Sequence, residues 1–155
     1  MGDTVREKIM QNVKTTLEGI SIANGYNNDI ASVQRWDQAS NPLIEVPCIM
    51  IRGGLEEKEP VPNPLTTCRL MVFIDVWIRH DKNEDPRSTD AILCSLLGDV
   101  EKTLMVDIKR GGYAVDTVLQ RNVPFENIEG EPYAGIVMEV EIHYRHKTND
   151  PEVAG

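Results

Sequence analysis

The chain has 155 residues, 41% hydrophobic and 26% charged, an ordinary globular balance that fits one domain with a sizeable core. Its 25 acidic residues outnumber 16 basic ones, and the net charge of −9 has the wrong sign for a protein that grips nucleic-acid phosphates. No apolar run approaches the roughly 18–20 residues that span a bilayer, and "MGDTVREKIM" lacks the apolar core of a secretory leader, so a protein made and kept in a cytosol, with no membrane partner, is expected.

Thr4 begins "TVRE", a capping box in which Glu7 reaches back to the cap amide. Val5, Ile9, Val13, Leu17 and Ile20 then recur on one face, which predicts an amphipathic helix over 4 to about 22, stopped near Gly25. "DIASVQRW" is a short, weakly patterned strand. "LIEVPCIMIR" (43–52) is a better one, and since Pro47 cannot donate to a ladder it reads as an edge strand or a bulged one. "GGLEEKEPVPNP" (53–64), with three prolines, two glycines and four charges, reads as a projecting loop.

Residues 66–80 form the clearest element. Cys68, Leu70, Val72, Ile74, Val76 and Ile78 point one way and make a pure core face. Arg69, Met71, Phe73, Asp75, Trp77 and Arg79 point the other, mixing aromatics with charge. The length far exceeds the mean strand of about 5–6 residues, which predicts an arch or a bulge. Asp85-Pro86 then reads as the cap and first position of a second helix, with Ile92, Leu93, Leu96, Leu97, Val100 and Leu104 as its buried stripe and Gly111 and Gly112 at its end. A strand over 113–121, a polar loop with Pro124, Gly130 and Pro132, and a last strand over 134–145 follow. In that last strand Ile136, Met138, Val140, Ile142 and Tyr144 face the core, while Glu139, Glu141, His143 and Arg145 face outward.

Mostly hairpin-length connections and two helices favour an α+β fold, an antiparallel β-sheet with two amphipathic helices packed on one face. Residues 1–155 are expected to make a single domain, with the ends 1–3 and 147–155 flexible. The uncovered face looks prepared for a partner, and Arg69, Phe73, Trp77, Arg79, Glu139, Glu141 and Arg145 are its candidate contacts.

The chemistry-bearing residues take plain readings. Cys48, Cys68 and Cys94 lack any C-x-x-C spacing and read as small core hydrophobes. The Arg-Gly-Gly tripeptides at 52–54 and 110–112 are turns at element ends. The acidic clusters read as solvated or ion-paired surface. His143 and His146 have a metal-like spacing only on a helix; on a strand they point to opposite faces. No catalytic residue, cofactor or metal site is therefore expected.

Taken in order, several segments carry a resemblance. They are the N-terminal amphipathic helix followed by "GY" (25–26), "VQRW" (33–36), "EVPCIMIRGGLEE" (45–57), "LMVFIDVWIR" (70–79), "LMVDIKRGGYA" (104–114) and "VEIHYRHKTNDP" (140–151). Over nearly its full length the chain resembles the tail terminator, or tail completion, proteins of tailed bacteriophages, also called minor tail proteins. The resemblance implies a non-enzymatic virion protein, assembled in the host cytoplasm into a homo-oligomeric, six-membered ring. Such a ring caps the head-proximal end of the tail tube, ends its polymerisation and meets the head–tail connector or neck proteins. In a contractile tail it also meets the sheath, and DNA passes through its channel without specific binding. On this view the 53–64 loop, with Glu56, Glu57, Lys58 and Glu59, enters the lumen or touches the tube. Two other readings stay open: another phage neck or connector ring protein, and a small ferredoxin-like ligand-binding or enzymatic domain built around a closed apolar pocket.

Overall fold

A computed structural model of the chain describes residues 2–37, 45–61, 64–125 and 132–155. Among them are two α-helices and six strands, in the order α1 (Val5–Glu18), β1 (Ser32–Arg35), β2 (Cys48–Val61), β3 (Leu65–Arg79), α2 (Thr89–Val106), β4 (Asp116–Pro124), β5 (Tyr133–Lys147) and β6 (Asp150–Ala154). The strands form one sheet in the order β1-β2-β3-β5-β4, with β6 pairing β5. Every pairing is antiparallel except β1 with β2. The fold is α+β, and the parallel β1 makes the sheet mixed.

Both helices lie over one face. Thr4 caps α1 by accepting the Glu7 N–H at 3.1 Å, and Val5, Ile9, Val13 and Leu17 present a buried stripe at four-residue spacing. Glu7 does not complete the capping box; its carboxylate takes two bonds from Arg35 at 2.8 and 3.0 Å, tying α1 to β1. The helix ends at Glu18, earlier than the periodicity predicts, because Ser21 starts a short 3-10 turn that Gly25 closes at φ 90°. The start of α2 also differs from the Asp85-Pro86 expectation. Ser88 caps it, accepting from the Ala91 N–H, while Asp85 folds back on Arg87.

Beneath the helices, Cys68, Leu70, Val72, Ile74 and Val76 are fully buried, and Met138, Val140, Ile142 and Tyr144 of β5 join them in a single core. Burying one such aliphatic side chain stabilises the fold by roughly 1.5–3 kcal/mol. Cys48 and Cys68 are buried as expected, but Cys94 is exposed on the outer side of α2. The period-3.6 stripe of α2 runs through Leu93, Leu96, Val100 and Leu104, which leaves position 94 facing out.

Three other expectations are corrected. The 53–64 segment is not a projecting loop. Within it, 53–61 continue β2 as a hairpin partner of β3; Pro64 lies in the turn, and 62–63 fall outside the described residues. Proline and charge suggested a loop, but pairing with the long, well-formed β3 overrides that local preference. The strand is bulged, as Pro47 suggested, yet the bulge lies between Gly53 and Glu56, and Pro47 sits just before the ladder behind a cis Val46–Pro47 bond. The C-terminal stretch carries β6, which turns back and pairs β5 beyond the end of β4. The strand expected over 113–121 begins at Asp116 and runs to Pro124; Gly130 of the following loop lies outside the described residues.

Candidate functional site

Two one-residue bulges decide which side chains reach the face opposite the helices. In β2, Cys48, Met50 and Arg52 lie on that open face opposite Trp77, Asp75 and Phe73. The extra residue before Glu56 reverses the alternation, so that Glu57 comes to the open face and Glu56 and Lys58 turn to the helix side. In β4 the extra residue at Gln120 lets both Val118 and Arg121 face the open side, opposite Glu141 and Glu139.

Aromatic rings set the open face. Trp77 stacks on Phe125, centroids 4.3 Å apart and planes 17° from parallel. Gly135, the register partner of Trp77, makes room for the stack: a Cβ there would sit 2.8 Å from both rings. The Arg52 guanidinium lies over the Phe73 ring at 4.8 Å. Gly54, at the bulge, permits that ring position, since a Cβ would come within 2.2 Å of it.

Charged pairs surround the rings. Arg69 bonds Glu57 at 2.8 Å, Arg121 bonds Glu139, and Glu141 bonds the His143 ring. Arg79 and Arg145 are exposed near opposite ends of the face and form no ion pair among the described residues. Asp75, at the centre, is the exception in kind. Among the described residues its Oδ1 is buried without a hydrogen-bond donor, and burial pushes its carboxyl above the ordinary value, a shift that nearby Arg52 opposes. A depression lined by Leu55, Glu57, Arg69, Met71 and Glu141 holds about 240 Å³, below the roughly 300–1,000 Å³ of small-molecule sites.

Of the expected contact residues, Arg69, Phe73, Trp77, Arg79, Glu139, Glu141 and Arg145 share this one face. The four expected in a lumenal loop are divided instead. Glu57 joins the open face, and Glu59 is exposed on the hairpin. Glu56 and Lys58 belong to a polar knot on the helix side. There Glu56 takes Arg6 at 3.5 Å, Lys58 at 3.6 Å and the Tyr144 hydroxyl, joining α1, β2 and β5. Lys58 also donates to His146 Nε2 at 3.0 Å, while Nδ1 lies 2.7 Å from the Lys147 carbonyl, an arrangement that suits the tautomer with its hydrogen on Nδ1. His143 and His146 thus lie on opposite faces, and no three His, Cys, Asp or Glu side chains converge as a metal site among the described residues.

Arg52, Arg121 and Phe125 escape a reading of the sequence. Arg52 and Arg121 depend on strand register, and Phe125 follows a proline in what reads as loop. The outward aromatic at Trp77 was the available signal that a ring partner was needed. No family model matches the chain, and no curated protein is similar enough in sequence to count as a match.

Proposed function

We propose that this protein is a structural subunit of a tailed-phage virion, forming a ring that caps the head-proximal end of the tail tube and joins it to the neck. One observation carries the reading beyond the sequence resemblance: an entire face of the sheet, bearing Trp77, Phe73 and ordered Arg–Glu pairs, is left without cover by the helices of its own chain. Aromatic and arginine side chains are enriched where protein surfaces meet. Heterologous contacts that close on themselves generate rings, and a net charge of −9 suits a channel through which DNA slides without sticking. The shallow depression beside Arg69 gives a ligand-binding reading less support.

The test is to mix purified protein with isolated tail tubes and image them by electron microscopy. A ring of density at one end of each tube is expected, its symmetry giving the subunit count. Density on isolated head portals with none on tubes would move the protein to the neck, and binding to neither would overturn the reading. Trp77→Asp should abolish the ring while leaving the circular-dichroism spectrum of the subunit intact; loss of both together would place Trp77 in the fold's own support.

A further inference from the structure

The open face is half-buried and mixes aromatic rings with charge, and a second surface is more plainly apolar and exposed. The second lies where α2 ends and the chain turns into β4. Met105, Val106, Ile108, Tyr113 and Val115 are all exposed there, Val106 to 77%. This segment is firmly built. Arg110 is fully buried and donates to the Leu104 and Asp107 carbonyls at the end of α2, and the Thr117 hydroxyl donates to the Ile108 carbonyl at 2.7 Å. Asp107 accepts the backbone N–H groups of Lys109 and Gly111 at 3.0 and 2.7 Å. So much exposed apolar surface on a rigid turn marks a contact.

Among the described residues the turn carries a cation, and the open face a carboxylate, without an ion-pair partner. On the turn it is Lys109, exposed among apolar neighbours; Asp107 is close enough to feel it, yet no ion pair forms. On the open face it is Asp75, set between Met50 and Val137 across the ladders, with Oδ1 buried and undonated. Arg52, the nearest cation, lies over Phe73 instead. An undonated carboxylate in apolar surroundings fits a cationic side chain carried on an apolar surface, and the turn of the same chain is such a surface.

We infer that the 105–115 turn of one copy docks on the open sheet face of the next copy, with Lys109 reaching Asp75. The two patches differ, so the contact is head-to-tail and repeats from copy to copy. The inference rests on the ring reading and names the surfaces that would make the ring.

A cysteine cross-link tests it while leaving both charges in place. Two proteins are made on a Cys94→Ser background, which removes the exposed thiol. One carries Val137→Cys, beside Asp75 in the register, and the other Val106→Cys. A short bismaleimide is added to each alone and to their mixture, with and without tail tubes. A cross-linked dimer is expected in the mixture and in neither protein alone. Adding Asp75→Lys to the first protein should remove it, and adding Lys109→Asp to the second should then restore it. No dimer in the mixture, equal yields from a single protein, or no response to charge reversal would each overturn the docking. Ring density on tubes without the cross-link would reject this contact and leave the cap reading standing. The cross-link without tube binding would do the reverse.

Discussion

The two faces of this sheet are built from the same strands yet obey different rules. Along β3, Leu70, Val72, Ile74 and Val76 are wholly buried under helices, while Met71, Phe73, Asp75 and Trp77, interleaved with them, are only half covered. The covered face is mostly apolar and held chiefly by packing, with one polar knot where Glu56 meets Arg6, Lys58 and Tyr144. The open face is built from specific pairs: a ring on a ring, a guanidinium on a ring, carboxylates on guanidinium and imidazole. A face meant only to meet water needs no stacked tryptophan, and a face meant only to be buried would not carry this many charges.

The sharpest break in the comparison is to truncate two residues of β3 that lie on opposite sides. Ile74→Ala removes buried volume under the helices and should cost about 2–5 kcal/mol in urea denaturation. Met71→Ala, on the open face, should cost less than about 1 kcal/mol. Equal losses would mean that the isolated subunit depends on both faces alike.

Gly135→Ala is the next largest. The added Cβ would fall 2.8 Å from Trp77 and from Phe125, and overpacking of this kind costs roughly 1–3 kcal/mol. The rings must separate, so tryptophan fluorescence should change along with stability. An unchanged emission spectrum would show that the stack does not depend on the bare backbone at 135.

Asp75→Asn gives a smaller effect with a pH signature. Burial raises the folded-state carboxyl above its ordinary value of 3.8. Below that ordinary value the group is protonated in both states and favours neither. As pH rises through the raised folded-state value, the folded protein must ionise a desolvated group, and stability is lost. The asparagine variant has no such loss. Its thermal midpoint should match wild type at low pH, move above it across that window and keep a constant lead at neutral pH. A wild-type advantage at neutral pH would show that Asp75 is well paired in the free subunit.

The covered face was legible in the sequence because strict alternation in 68–78 and four-residue spacing in α1 are signals that burial enforces on every residue. The membership of the open face was only half legible. Phe73, Trp77, Glu139 and Glu141 follow from period two alone, and Arg52 from the register of β2 on β3, but Glu57 and Arg121 reach the face through bulges at 53–56 and 119–121, and one extra residue reverses every side chain beyond it. Glu56 and Lys58 were misread for the same reason. A run of charge and proline looks like solvent-exposed loop, and no local pattern reveals that α1 and β5 supply Arg6, Tyr144 and His146 to receive two of its members. The β6 strand was missed because its pairing is with β5 over very few residues, and its exposed side chains leave no apolar pattern.

The smallest expected effect on the subunit separates its two roles most cleanly. Arg69 and Glu57 pair at 2.8 Å across β2 and β3, but both side chains are at least half exposed, and such a pair contributes between about 0 and 1 kcal/mol. Arg69→Ala should therefore leave the urea midpoint of the isolated protein nearly unmoved, and more nearly so in high salt. On the open face, however, Arg69 borders the depression beside Met71 and Glu141, where a docked neighbour would strip water from the pair. Removing one partner would then leave Glu57 unpaired in a drier setting, a larger penalty than in the free subunit. Ring formation on tubes should thus weaken in Arg69→Ala while subunit stability holds. If both are unchanged, Arg69 lies outside the contact, and the interface is confined to the aromatic half of the face around Trp77.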